Sequence, residues 1–194
     1  MTAEQLLIGS SSLTRELLAY LEKISPTDAP VLLRGATGVG KELVAREIHR
    51  LSGRESRGQF IAVNCSAIPT ELLESELFGH EKGAFSGAVT SYQGRMRLAN
   101  GGSLLLDEIG DMHADLQAKL LRAVQEGVVT PVGSGKEITV DVRIISATHK
   151  PLEELIDQGQ FREDLFFRLN VIPINVAPLR ERPEEIVELF DYFS

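Results

Sequence analysis

A glycine-rich loop that ends in lysine, between a short apolar run and a helical pattern, most constrains what this chain can fold into. The loop has the spacing G-x4-G-K, follows the run Val31–Leu33 and precedes a helix that begins near Glu42. Its backbone N–H groups can surround phosphate oxygens, while the positive end of the helix and the charge of the lysine point at the same place. A glycine-rich turn can also be a plain connection, but strand, loop, lysine and helix in register predict a phosphate-binding loop. The loop consists of Gly35, Ala36, Thr37, Gly38, Val39, Gly40 and Lys41.

A pair of acids at the end of a second apolar run supplies what a phosphate loop needs for hydrolysis. Three consecutive leucines, Leu104–Leu106, precede Asp107 and Glu108 and predict a central strand buried on both faces. The acids then lie at the carboxyl end of the strand, where open α/β sheets bind ligands. There Asp107 would hold Mg²⁺, directly or through water, and Glu108 would polarise the attacking water. An Asp-Glu pair alone would more often be a solvated turn, but beside a phosphate loop it predicts an ATPase.

Composition excludes several other classes of protein. The chain has no run of about 18 apolar residues and no basic start before an apolar core, so neither a membrane span nor a signal peptide is predicted. Its single cysteine, Cys65, excludes an internal disulfide, suits a cytoplasmic location and is expected to pack as a small hydrophobe. The net charge of −8 argues that any DNA binding would come from a separate domain. Metal-ligand spacing is absent from the scattered histidines, His49, His80, His113 and His149.

Apolar strands and amphipathic helices alternate along the chain. Strands are predicted over Val31–Arg34, Phe60–Asn64, Ser103–Leu106, Val142–Ala147 and Val171–Val176. Helices are predicted over Ser12–Lys23, Lys41–Leu51, from after Pro69 to Leu77, Ala114–Glu126, Leu152–Gln158 and Arg162–Leu169. This alternation predicts an α/β fold, with a parallel five-stranded sheet covered by helices on both faces.

Two segments interrupt the alternation. Gly79–Gly94 is too rich in glycine for a helix, yet it carries Phe85 at its centre. On general grounds a phenylalanine in such a loop is expected to be tucked into the core rather than presented to a partner. The second segment, Val128–Val140, has Gly133–Gly135 between two β-prone stretches and predicts a hairpin.

The segment Glu74–Ala88 resembles a known signature. Its sequence, Glu-Ser-Glu-Leu-Phe-Gly-His-Glu-Lys-Gly-Ala-Phe-Ser-Gly-Ala, is similar to that of the AAA+ domain in bacterial enhancer-binding proteins, the sigma-54-dependent activators of the nitrogen-regulator type. The resemblance extends from Leu7–Gly9 to Pro178–Arg182 and implies an AAA+ phosphate-loop NTPase core over residues 1–194. It also reverses the expectation for Phe85, because in the family this loop contacts sigma-54. The contact residues that it implies are Gly83, Ala84, Phe85, Ser86, Gly87 and Ala88.

The resemblance also implies a mechanism. Such domains form rings, usually hexamers, with ATP between neighbouring subunits, and hydrolysis moves the loop that remodels sigma-54 RNA polymerase. Asp107 would then bind Mg²⁺ and Glu108 the catalytic water. Glu42, where other phosphate loops have Ser or Thr, agrees with the family. The implied nucleotide-binding residues are Ile8, Gly9, Gly35 through Lys41, Glu42 and, as a sensor of the γ-phosphate, His149, where Asn is more usual.

Three further residues carry roles that the resemblance implies. Asn64, at the end of the second strand, matches the residue that pairs with the catalytic glutamate and links nucleotide state to the loop. Taken alone, it would satisfy its own turn. Arg162 and Arg168 match arginines that reach the neighbour's nucleotide, where a guanidinium can neutralise charge developing on the γ-phosphate. A surface ion pair with Glu163 or Asp164 is the alternative.

Some features depart from the family pattern. Ser86 stands in place of Thr, Ala36 in place of a polar residue, and Pro131 stiffens a hairpin that often carries a charge there. The chain ends within a helix that begins near Pro183, so the helical lid of the family is expected to be missing. Two alternatives to an ATPase motor remain: a fragment that binds nucleotide without turnover, and another AAA+ machine such as an unfoldase or chelatase. The Phe85 loop argues against the second.

Overall fold

A parallel sheet forms the centre of the computed structural model, which describes residues 7–193. Five strands pair in the order β2-β3-β6-β1-β7, all parallel, while β4 and β5 form a separate antiparallel hairpin. The predicted five-stranded parallel sheet and the predicted hairpin are both confirmed. The strands are β1 Val31–Arg34, β2 Phe60–Asn64, β3 Ser103–Asp107, β4 Val128–Val129, β5 Ile138–Thr139, β6 Arg143–Thr148 and β7 Ile172–Asn175.

The helices begin and end within a few residues of the predicted bounds. The first is capped by Ser11, whose Oγ accepts a hydrogen bond of 3.1 Å from the Thr14 N–H. One four-residue helix after Gly94 was not predicted, since it is too short to show a period. The helices are α1 Ser12–Ile24, α2 Lys41–Leu51, α3 Thr70–Phe78, α4 Arg95–Leu98, α5 Ala114–Glu126, α6 Leu152–Asp157, α7 Glu163–Leu169 and α8 Glu185–Phe193, with 3₁₀ turns at Arg54–Ser56, Ile109–Asp111 and Leu179–Glu181.

Helices cover both faces of the sheet because the strands are apolar at successive positions. In β3, Leu104 and Leu106 pack on one face against a core that includes α3, α5 and α7. Leu105 points to the other face, where α1 and α2 supply the core. Side chains alternate between the faces of a strand, so a continuous run of leucine is what a strand covered on both sides requires.

The strand order brings distant loops to one edge of the sheet. Strand β6 lies between β3 and β1, with Leu106 opposite Ser146 and Arg34 opposite Thr148. All three strands are parallel, so their carboxyl ends meet. The phosphate loop after β1, the acids at the end of β3 and the residue after β6 therefore converge.

The opposite edge is closed by a buried arginine. Arg54 bonds to Asp28 at 2.8 Å and to Asp141 at 2.9 Å, and it also donates to the carbonyls of Gly101 and Gly102, each at 3.2 Å. Gly101 and Gly102 directly precede β3, so the arginine links the start of this strand to segments from other parts of the chain. Its charge is stabilised by two carboxylates, as a buried guanidinium needs.

Two predictions from composition can be compared with the described residues. Cys65 is buried in the core, and burial raises the pKa of its thiol to about 12, so it packs as the small hydrophobe that was expected. Within residues 7–193 no helix reaches the length and apolar character that crossing a bilayer requires.

Candidate functional site

The phosphate loop turns tightly from β1 into α2. Gly38 and Gly40 have φ angles of 82° and 96°, a region that side chains other than glycine rarely enter. Gly40 directly precedes the first residue of α2, so the free N–H groups of the helix face the loop. Lys41 is only 6% exposed and donates to the carbonyls of Gly35 at 2.9 Å and Ala36 at 3.2 Å. Its ammonium group is therefore folded over the loop, where phosphate would bind.

Glu108 lies opposite this lysine. Its Oε1 is 3.7 Å from Lys41 Nζ, and its Oε2 accepts hydrogen bonds from His149 Nδ1 at 2.7 Å and from the His149 backbone at 3.3 Å. The side chain is nearly buried, and within residues 7–193 Glu108 is the one non-glycine residue with positive φ, 52°. Such left-handed residues carry backbone strain and cluster at functional sites. The structure thus brings together the predicted Lys41, Glu108 and His149.

Asp107 is half-buried beside these groups. Its Oδ1 accepts a bond of 3.0 Å from the Glu108 N–H. Burial, and then the neighbouring Glu108 carboxylate, raise the pKa of Asp107 above its usual value. Glu42, by contrast, pairs at 2.7 Å with Arg46 one turn along α2. Of these three carboxylates at this edge, Asp107 is therefore the one that makes no ion pair within the described residues.

Asn64 is close in register but makes other bonds. It lies opposite Asp107 in the β2–β3 ladder. Its side-chain oxygen accepts from the Ser66 N–H at 2.9 Å, the Ser66 hydroxyl at 2.8 Å and the Ala67 N–H at 3.2 Å. The structure thus has Asn64 satisfying its own turn, while the contacts of Glu108 are with Lys41 and His149.

An apolar cavity of about 670 Å³ adjoins the phosphate loop. Ile8 lines it, as expected for a nucleotide contact, whereas Gly9 packs against Glu185, whose Oε1 would be 2.3 Å from an added Cβ. Arg182 donates to the carbonyl of Val39 at 3.3 Å and so ties the segment before α8 to the loop. The remaining lining comes from the N-terminal residue Leu7, from the loop and the start of α2 and from the C-terminal segment: Leu7, Ala36, Thr37, Gly38, Gly40, Leu43, Pro178, Leu179, Arg180, Leu189 and Tyr192.

The two arginines proposed to act between subunits differ in their surroundings. Arg162, just before α7, pairs with Asp164 at 2.7 Å, and this contact raises the pKa of the arginine and lowers that of the acid. Arg168, in the last turn of α7, is exposed, and its side chain has no hydrogen bond or ion pair within the described residues. The ion pair considered for Arg162 is thus present, while Arg168 is free to reach another molecule.

The Phe85 loop lies at the surface. Phe85 is 38% exposed, so the general expectation of a ring tucked into the core is wrong. The loop is closed by its own bonds, from the Gly83 N–H to the Ala88 carbonyl at 2.8 Å and from the Ala88 N–H to the Phe85 carbonyl at 3.0 Å. Of the six expected contact residues, Ala88 is buried and anchors the loop. The surface that remains is Gly83, Ala84, Phe85, Ser86 and Gly87.

Comparison with known proteins agrees with this geometry. The sigma-54 interaction domain model matches residues 7–175. The chain is 52% identical over 187 residues to the DNA-binding transcriptional regulator NtrC of Bradyrhizobium sp. (strain RP501 Parasponia), covering 96% of this chain and 39% of the relative. It is also 52% identical over 180 residues to the sigma54-dependent transcriptional activator SfnR of Pseudomonas putida, covering 93% and 49%. The chain therefore spans less than half of the length of these relatives.

A solved structure supports the same assignment. NtrX from Brucella abortus, crystallised in complex with ATP, superposes with a TM-score of 0.88 at 42% identity, over 96% of this chain and 42% of that one. The parallel sheet and phosphate loop are those of an AAA+ P-loop NTPase domain. Since the family model matches most of the chain and relatives are about half identical, the chain belongs to the family of sigma-54 interaction domains of sigma-54-dependent transcriptional activators.

Proposed function

We propose that this domain, residues 1–194, binds ATP at the loop Gly35–Lys41, hydrolyses it, and uses the Phe85 loop to engage and remodel sigma-54 RNA polymerase. The observation that carries the proposal is the convergence of Lys41, Asp107 and Glu108 at one edge of the sheet. The complex of Brucella NtrX with ATP supports nucleotide as the ligand. An apolar cavity beside the phosphate loop suits the base and ribose.

The side chains at this edge have complementary tasks. Lys41 and the start of α2 would stabilise the phosphate oxygens. Because the Lys41 ammonium now bonds to two carbonyls and faces Glu108, bound phosphate would replace these weaker partners. Glu108 is nearly buried and held by His149, so its carboxylate can accept a proton from the attacking water in a fixed direction.

The donor set at Asp107 fits Mg²⁺. This ion prefers oxygen ligands, keeps several waters and binds nucleotide enzymes through one or two carboxylates and the phosphates. Burial, and then the nearby Glu108 carboxylate, raise the pKa of Asp107, and a divalent cation would offset both effects by stabilising the ionised carboxylate. Among residues 7–193 no three His, Cys, Asp or Glu side chains converge on a preformed metal site. Bound there, Mg²⁺ would neutralise phosphate charge.

Partners follow from the same surfaces. Arg168 would complete the nucleotide site of a second copy in a ring, for which the family pattern implies six members, so the active assembly would be a homo-oligomer. The exposed loop at Phe85 would contact sigma-54. The chain is acidic, with a net charge of −8, and this supports DNA binding by a separate domain. We place the protein in the cytoplasm.

The decisive experiment compares nucleotide binding with turnover. Glu108→Gln should retain ATP affinity and reduce MgATP hydrolysis by about a hundredfold or more, because the base is lost and the shape is kept. Lys41→Ala should lose ATP binding itself. Glu126→Gln, the same change at an exposed acid on α5, is the control and should leave both measurements unchanged. Turnover at the original rate in Glu108→Gln would contradict the assignment.

A further inference from the structure

His80 lies where three segments of the chain meet at the base of the Phe85 loop. Its backbone exchanges two hydrogen bonds with Tyr92, each 2.9 Å, which close the loop between them. The hairpin approaches on the other side, where Glu81 N–H donates to the Val132 carbonyl at 3.0 Å and Val132 N–H donates to the Gly79 carbonyl at 2.9 Å. The residue is therefore fixed by its backbone to both arms of the loop and to the hairpin.

The imidazole ring of His80 is fixed as well. Its Nε2 lies 3.0 Å from the Thr90 carbonyl oxygen, and its Nδ1 lies 2.6 Å from Ser75 Oγ. A carbonyl oxygen only accepts, so Nε2 carries the hydrogen and Nδ1 of the neutral ring accepts from the serine hydroxyl. Ser75 is buried on α3, so the ring is tied to a rigid element. These two bonds leave the imidazole in one orientation.

The imidazole ring of His80 packs against the ring of Phe85. The two ring centroids are 5.0 Å apart, with an angle of 67° between the planes, an edge-to-face arrangement. Gly83 and Gly87, with φ angles of 81° and 102°, flank the phenylalanine and have no neighbouring atom within 4 Å of an added Cβ. No other described segment therefore packs closely against these two glycines, and the imidazole supplies a fixed contact for the phenylalanine ring.

We propose that His80 is a positioning residue, which sets the direction in which the Phe85 ring is presented to the partner. This inference rests on the proposed function, in which Phe85 contacts sigma-54. It assigns to the histidine no contact with nucleotide. Replacing the imidazole releases the phenylalanine ring, so partner binding weakens while the nucleotide site is untouched.

The chain lacks tryptophan, which allows a reporter at the loop itself. In a Phe85→Trp background, acrylamide quenching and fluorescence anisotropy report how firmly the new ring is held. We expect His80→Gln to raise the quenching constant and to lower the anisotropy. Ser75→Ala, a small change in a buried helix position that keeps the imidazole but loses one of its bonds, should act in the same direction to a smaller extent. His113→Gln, the same change at an exposed histidine that pairs with Asp115, should do neither.

Sigma-54 binding is measured in the chain with Phe85 intact. His80→Gln should weaken the affinity for purified sigma-54 by about two- to tenfold, the range that one aromatic pair supplies, and leave MgATP hydrolysis unchanged. Unchanged quenching in both His80→Gln and Ser75→Ala would overturn the inference, as would altered quenching with unchanged sigma-54 affinity. Phe85→Ala is the reference: if it binds sigma-54 as before, the proposed contact fails instead.

Discussion

The carboxylate of Glu108 is held from two sides, and this arrangement separates two roles for His149. One oxygen faces Lys41 at 3.7 Å and the other accepts two bonds from His149, at 2.7 Å and 3.3 Å. The resemblance implies that the residue at position 149 senses the γ-phosphate. In the structure it instead orients the carboxylate of Glu108, the proposed general base. These roles affect different kinetic constants, because orientation of a base changes turnover and a phosphate contact changes binding.

We expect His149→Ala to lower kcat by about tenfold, because one hydrogen bond to a charged group is lost, with little change in ATP affinity. His149→Asn keeps a side-chain N–H and should recover part of the loss. Steady-state kinetics together with direct measurement of ATP binding would separate the two constants. Weaker ATP binding at unchanged kcat would show that the side chain contacts phosphate rather than Glu108.

Residues adjacent along the chain were predictable, and contacts between distant loops were not. Lys41 and the pair Asp107–Glu108 follow from local patterns, a loop spacing and an apolar run that ends in acids. The hydrogen bond between His149 and Glu108 depends on β6 lying beside β3. No local sequence pattern predicts that strand order. For Asn64 the sequence offered both a pairing with the glutamate and a bond within its own turn. The structure has the second.

At the scale of elements, the hairpin and the Phe85 loop form one packed unit. The hairpin was predictable because Gly133–Gly135 lies between two β-prone stretches. Its docking onto the loop was not, because main-chain bonds from Val132 make that contact and any residue can supply them. At the tip, an added Cβ on Gly133 would lie 2.7 Å from Ala84 Cβ. Gly133 therefore allows the two segments to approach.

The two glycines of this hairpin provide a matched pair of substitutions. Gly133 has φ of 75°, so Gly133→Ala should lower the free energy of unfolding by about 1–2 kcal/mol, from the left-handed backbone alone. The clash with Ala84 adds to this loss. Gly135 has no neighbouring atom within 4 Å of an added Cβ and lacks a positive φ, so Gly135→Ala should change stability by less than about 0.5 kcal/mol. Denaturant unfolding measures both, and equal effects would show that Gly133 has neither the strained backbone nor the close contact with Ala84.

At the scale of the whole molecule, the proposed nucleotide site of residues 7–193 lacks an arginine beside Glu108, of the kind that related nucleotidases use to neutralise charge on the γ-phosphate. Lys41, Asp107 and Glu108 meet at the sheet edge, but no arginine is among the partners of Glu108 within residues 7–193. In that same part of the chain, the side chain of Arg168 is exposed and unpaired, at the end of α7. A guanidinium supplied by a second copy would complete the site, as the resemblance implies for a ring. The resemblance offered both Arg162 and Arg168 for this role, and only the structure shows that Arg162 is paired with Asp164.

MgATP hydrolysis per subunit should therefore rise with protein concentration, because in the proposed ring each site takes an arginine from a neighbour. Arg168→Ala should remove this rise and lower the plateau by about 10³-fold, the scale of such arginines in related nucleotidases. Arg15→Ala, at an exposed arginine on α1 that does not line the cavity beside the phosphate loop, is the matched control and should behave as the original chain. Sedimentation over the same concentrations shows whether Arg168→Ala still assembles. Since assembly and completion of the site are separate steps, loss of activity in assembled Arg168→Ala would assign the arginine to the chemistry. Turnover independent of concentration would mean that one copy completes its own site.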